Sequence, residues 1–256
     1  MYTSREIEQI IGPIPTWHQY EPNDIHYIHF ATQASVLASA YKIADVYDAF
    51  CNARAGLLFA WQDNLREFMD NTDDGLTFFR SHLLLNSLVL YNICIDLSWQ
   101  VVWLRYETND IILINNTKVY ESSLKHCNLD ALRYRLSLAQ EYKVRNYITA
   151  TFESSLWQEV REHYNYYKHR GNFHVGIGEN PTKLMFSYNG TQPKCLSQKT
   201  FNLNEWTGNL IKFHQEFSSY FETIIKYVIP SNYSSPIGTT ELIKYMHMIG
   251  SNSLSF

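Results

Sequence analysis

The chain has 256 residues, 45% of them hydrophobic and 15% aromatic, with 18% charged and a formal net charge of −4. That length supports one substantial core, burying roughly 70 to 75% of the unfolded surface, and needs neither disulfide nor metal staple. The mild acidity excludes a protein whose whole surface grips a phosphate backbone, while leaving room for one focused positive patch.

In chain order, a short first helix precedes an irregular leader around Gly12 to Asp24 that contains Pro13, Pro15 and Pro22. The first long helix is expected from about Asp24 to Asn52, because Ile28, Ala31, Val36, Ala40, Ile43, Val46 and Phe50 recur at near-helical spacing. Asn23 or Asp24 can cap it. A helical segment from Ala53 to Met69 follows, continuous with the first or separate, until NTDDG breaks the pattern. Thr72 and Asp73 can open a helix from about Asp74 to Tyr106, apolar on nearly every side, as befits the centre of a bundle.

The Ile111–Ile114 run is too short to set the fold. Asn128 or Ser122 can start the next helices, with Leu132, Leu136 and Ala139 on one face of Leu129–Tyr142. A further helix is predicted from about Thr151 to His169, packing Phe152, Leu156, Trp157, Val160 and Tyr164. Gly171 and Gly176 interrupt it, and 177–203 reads as a long loop with a short hairpin around Ser187 to Gly190. A last main helix runs from Asn204 to Tyr227 and stops at Pro230. The tail holds a loop and a short helical piece at Glu241–Ile249. The domain reading is therefore 1–23 as short helix and leader, 24–229 as a helical bundle and 230–256 as C-terminal loop and short helix. A parallel sheet would need several β-branched runs alternating with helices, and these are lacking. The expected class is all-α.

Cys51, Cys94, Cys127 and Cys195 are scattered and include no CxxC, which fits buried thiols in a reducing compartment. MYTSREIEQIIGPIP lacks the basic start and apolar centre of a signal peptide, so a cytoplasmic protein is expected. Between His82 and Leu104 only Asp96 is formally charged. A membrane span would also place Asn86, Asn92 and Gln100 in lipid, so a buried helix and no membrane is the expectation. Asp96 in that helix needs a partner, for which Arg80, Arg105 or a residue of the histidine-bearing helix is available.

The densest chemistry lies in REHYNYYKHRGNFHVGIG, residues 161–178. Arg170 follows His163 by seven residues and Tyr166 by four, so these share a helical face while Arg161 lies to one side. His174 joins that face only if the helix passes Gly171. A histidine beside an arginine suits metal-independent RNA cleavage. The imidazole takes the 2′-hydroxyl proton, and the guanidinium stabilises charge on the phosphoryl oxygens. The leaving oxygen then needs a proton from a second acid such as His163, His169 or a partner subunit's residue. The competing reading is a helix that packs its rings and exposes its charges. His163, His169 and His174 do not form HExxH, and Glu159, Glu162 and Glu179 complete no metal spacing with them, so neither metal nor cofactor is expected. Gly171, Gly176 and Gly178 match no phosphate-loop signature, and no GxSxG elbow occurs.

A long apolar helix carrying DLSW, with a late helix ending in YYKHRGNFHVG, resembles the HEPN superfamily, small helical bundles of bacterial toxins, defence systems and RNases. The likeness is to its stand-alone bacterial members and spans Asp24 to Tyr227. The resemblance implies an up-and-down bundle with a long central apolar helix and an irregular loop after the histidine-bearing helix. It also implies a homodimer whose two such helices form a composite cleft.

The family pattern is an arginine, usually followed by a polar residue, then a histidine after four to six intervening residues. Matching that histidine to His174 puts His169 at the five-residue offset. Arg170 falls one position later with only three residues intervening, Lys168 keeps a positive charge at the six-residue offset, and Arg161 is too far upstream. The resemblance thus implies a metal-independent endoribonuclease of a defence or toxin–antitoxin system, with His174 and Arg170 catalytic. Lys168, His169, His163, Tyr166 and Asn172 would bind substrate. The departure from the pattern supports the alternative, an inactive member that binds a protein, nucleotide or RNA partner.

Overall fold

A computed structural model of the chain describes residues 2–30, 32–68, 72–108, 110–171, 173, 175, 189, 199–234 and 243. Among them the protein is all-helical. The helices are α1 (Ser4–Ile11), α2 (Asp24–Phe30), α3 (Ala34–Phe59), α4 (Asp73–Arg105), α5 (Ile112–Asn115), α6 (Thr117–Leu124), α7 (Leu129–Leu138), α8 (Tyr142–Phe152), α9 (Ser155–Arg170) and α10 (Leu203–Val228). Short 3-10 turns occupy Trp17–Tyr20 and Asp63–Phe68.

The chain forms two compact units, Met1–Ile14, Ala49–Cys94 and Thr151–Ser218 in the first, and Pro15–Asp48, Ile95–Ala150 and Ser219–Phe256 in the second. The first unit is centred on rings. Phe50 stacks on His214 at 4.3 Å and meets Tyr91 edge-on at 6.0 Å, while Trp157 lies 4.9 Å from Phe213. Here α3 and α4 touch through Gly56, where an added Cβ would stand 2.6 Å from Ser87 Oγ. That hydroxyl donates to the Ala53 carbonyl at 2.8 Å, so small side chains let the backbones close up. Trp61 fastens α10 by donating its indole N–H to Thr207 Oγ1 at 2.9 Å.

In the second unit Ala34, Ala38, Leu104 and Leu113 form a core cluster against which Tyr120 and Leu124 pack. Arg105 Nε donates to the Val228 carbonyl at 3.0 Å, satisfying one of the last carbonyls of α10. Asp96 is half-buried here. Its charge acts on Cys127, whose thiol is pushed up to about 12, chiefly by burial.

The expected helices at 74–106, 151–169 and 204–227 coincide with α4, α9 and α10 within a few residues. Three boundaries differ. The helix expected from Asp24 is broken into α2 and α3 by a turn in which Gln33 N donates to the Phe30 carbonyl at 2.8 Å. Phe30 is buried against Tyr233 at 5.2 Å, so packing sets a break that contains neither glycine nor proline. The continuation past Asn52 holds as far as Phe59, after which the chain turns.

Leu129–Tyr142 is likewise divided, because Gln140 adopts φ 61°. Glu141 N bonds the Leu136 carbonyl at 2.8 Å and Gln140 N bonds that of Ser137 at 3.1 Å, a Schellman closure with glutamine where glycine is usual. Asn23, Thr72 and Asn128 act as helix caps as expected. Ser122 lies inside α6, which Asn116 caps instead. The expected hairpin at Ser187–Gly190 and the helical piece at Glu241–Ile249 lie outside the described residues, apart from Asn189 and Ile243. Among the described residues only α4 is long and apolar enough to cross a membrane, and 67% of its most apolar window is buried inside the protein.

Candidate functional site

Helix α9 belongs to the first unit and has two working faces. One is anchored: Trp157 and Val160 are buried, and Trp157 Nε1 donates to Glu216 Oε2 at 3.2 Å. Arg161 Nη1 donates to Asn92 Oδ1 at 2.9 Å. The other face presents Glu162, Asn165, Tyr166, His169 and Arg170, the i, i+3, i+4, i+7 and i+8 positions of one stripe. These five residues and Lys199 line a cleft of about 310 Å³.

The cleft's geometry follows from how α9 ends. Lys168, His169 and Arg170 occupy its last turn, where cations complement the negative end of the helix dipole. Gly171 then takes φ 104°, ψ −170°, a conformation that side chains with a Cβ rarely adopt. Lys199, just ahead of α10, donates its backbone N–H to the Tyr166 hydroxyl at 3.1 Å and sets its ammonium 5.8 Å from the ring centroid.

Beneath the cleft is an aromatic pile. Phe173 is buried 5.0 Å from Tyr166 and 5.4 Å from Phe201, which stacks on Trp206 at 5.2 Å. His163 belongs to this pile, 4.2 Å from Trp206 and 5.5 Å from Phe173. Its Nδ1 is 2.9 Å from the Glu159 carbonyl, which fixes the proton of the neutral ring on that nitrogen. Burial lowers its pKa, with the Glu159 carbonyl pulling weakly the other way.

The structure thus brings Tyr166, His169 and Arg170 together, places His163 in the packing below, and sets Lys168 over the Tyr164 ring at 5.7 Å. His174 and Asn172 lie outside the described residues. Sequence reasoning missed Glu162, Asn165 and Lys199. The helical stripe through Tyr166 would have found the first two. No local signal marks Lys199, which meets Tyr166 only through the fold.

Chemically the cleft offers a guanidinium, an ammonium, an imidazole and an exposed amide around a tyrosine ring, with one carboxylate opposing them. Such a set holds a phosphate diester by charge-assisted hydrogen bonds and is wide enough for part of a nucleotide. No group of three His, Cys, Asp or Glu side chains able to hold a metal ion occurs among the described residues.

A second cleft, of about 600 Å³, lies in the second unit beside Arg135. There the guanidinium stacks 3.4 Å above Trp103 and is paired with Glu107, so its charge is already balanced. The cleft below α9 is therefore the stronger candidate for anion recognition. In comparisons with known proteins, no family model, no curated protein and no solved structure matches this chain.

Proposed function

We propose that this chain is a HEPN-like up-and-down bundle that binds RNA at the end of α9 and cleaves it without a metal, as a cytoplasmic homodimer in a bacterial defence or toxin-like system. The observation that carries the reading is the convergence of Tyr166, His169, Arg170 and Lys199 on one cleft. Arg170 and Lys199 neutralise the scissile phosphate, and His174 accepts the proton of the attacking 2′-hydroxyl. His169, or a histidine of the second copy, protonates the leaving 5′-oxygen. The products are a 2′,3′-cyclic phosphate and a 5′-hydroxyl.

The test is incubation of the purified protein with single-stranded and structured RNAs in EDTA, followed by analysis of the ends. Cleavage that leaves cyclic phosphate and is lost in H174A and R170A, with helix content unchanged by circular dichroism, supports the assignment. Equal cleavage by both variants sinks it.

A second reading, binding without turnover, is favoured by the placement of His163 in the aromatic pile, which removes one of the expected acids from the cleft. Retention of RNA without product, weakened in R170A, would select this reading over the first.

A further inference from the structure

One residue of the cleft below α9 works against phosphate binding. Glu162 is exposed and lines the cleft together with Arg170 and Lys199. A carboxylate facing a polyanion repels it, unless the ligand turns hydrogen-bond donors toward that carboxylate. Its helical neighbours supply no cation to neutralise it, since the residues three and four positions away are Gln158, Glu159, Asn165 and Tyr166. The amide of Gln158 is already engaged, donating to the Phe152 carbonyl at 2.6 Å. Arg170 stands two turns further on, about 12 Å along the axis at 1.5 Å per residue. The cations therefore hold the phosphate at one end of the stripe, and the carboxylate at the other is left for donors on a different part of the same ligand.

We infer that Glu162 and Asn165 make this cleft selective for guanine, reading the base next to the phosphate held by Arg170 and Lys199, an assignment that rests on the cleft being an RNA site. Guanine is the one RNA base whose Watson–Crick edge carries two adjacent donors, N1–H and N2–H. The two acceptor oxygens of one carboxylate match them side by side. Adenine and cytosine each set a ring-nitrogen acceptor beside their amino donor, and uracil flanks its N3–H with two carbonyls. Each of these three turns a lone pair toward the carboxylate.

Asn165 completes the edge. It lies three residues after Glu162, where helical side chains are about 5 to 6 Å apart at Cβ, and it lines the same cleft. Its amide N–H donates to guanine O6 while Glu162 accepts from N1–H and N2–H. The cavity of about 310 Å³ takes the phosphate and this base edge, with the ribose on the solvent side, where His169 and Arg170 are exposed.

The experiment is a ligand-observed NMR titration of the full chain, at low salt and in EDTA, with the 5′- and 3′-monophosphates of guanosine, inosine, adenosine, cytidine and uridine. GMP should bind most tightly, and IMP, which lacks the 2-amino donor, roughly tenfold more weakly. Glu162→Gln presents one acceptor beside one donor, the pattern that pairs with adenine, so AMP should overtake GMP. Arg170→Ala should weaken all the nucleotides alike and keep their order. Equal binding of all the bases, a guanine preference unchanged in Glu162→Gln, or no nucleotide bound overturns the assignment. Cleavage is judged separately. A guanine preference that Glu162→Gln abolishes upholds base reading even where no RNA is cut, and metal-independent cleavage blind to guanine defeats it while leaving the nuclease intact.

Discussion

His214 is held neutral by its surroundings. Burial, aided by the nearby Arg54 charge, lowers its pKa to about 3, whereas the unfolded chain protonates near the ordinary value of about 6.5. The unfolded state therefore binds the proton first. Stability is complete above about pH 6.5 and is lost at about 1.4 kcal/mol for each pH unit as the pH falls toward the folded value. His26 and His163, also lowered by burial, act with the same sign.

Urea midpoints measured from pH 7 to pH 5 should fall steeply for wild type and less steeply for a Tyr91→Phe/His214→Phe double variant. Equal slopes would show that His214 is not the buried neutral group. At neutral pH, Tyr91→Phe alone should cost about 1 to 3 kcal/mol, because it strips the partner from a buried ring nitrogen. Replacing both partners by rings should cost less than that. None of this pairing was legible in the chain, since Tyr91 and His214 lie 123 residues apart and no local pattern relates them.

Among the elements, legibility followed the strength of the local signals. The α4, α9 and α10 segments combine a long helical pattern with a capping residue, a glycine or a proline near an end, and their ranges could be read directly. The α2–α3 and α7–α8 breaks carry no such punctuation. The first is imposed by burial of Phe30, the second by Gln140 in a left-handed conformation that glycine adopts more readily.

That last feature gives a stabilising prediction. Gln140→Gly should raise unfolding free energy by up to about 1 kcal/mol, since the side chain is strained at φ 61° and the closing bonds are made by the backbone. Gly56→Ala should do the opposite. Its Cβ would stand 2.6 Å from Ser87 Oγ and 3.2 Å from the Leu83 carbonyl. Moving Ser87 aside breaks its bond to Ala53, and forcing the helices apart costs about 1 to 3 kcal/mol. Denaturant midpoints of the two variants should move in opposite directions, and a Gly56→Ala protein as stable as wild type would show that α3 and α4 do not approach so closely.

At the scale of the molecule, the net charge of −4 and the local cations at the end of α9 make opposite demands on a polyanion. Binding driven by the whole surface would release many counterions, whereas binding confined to the cleft involves Arg170 and Lys199. Each phosphate neutralised on a single strand contributes roughly 0.7 to the salt slope, so log K should fall with log salt at a slope of about −1.4. Arg170→Ala and Lys199→Ala should each weaken single-stranded RNA binding and reduce the magnitude of that slope by about 0.7, with little dependence on sequence. Lys199→Ala is the sharper probe. It removes a cation that only the fold brings to Tyr166, and leaves α9 and its basic last turn intact. A filter-binding titration across several salt concentrations decides the matter. If Lys199→Ala leaves both affinity and slope unchanged, the phosphate does not sit in this cleft, and the cations of α9 serve only to complement the end of their own helix.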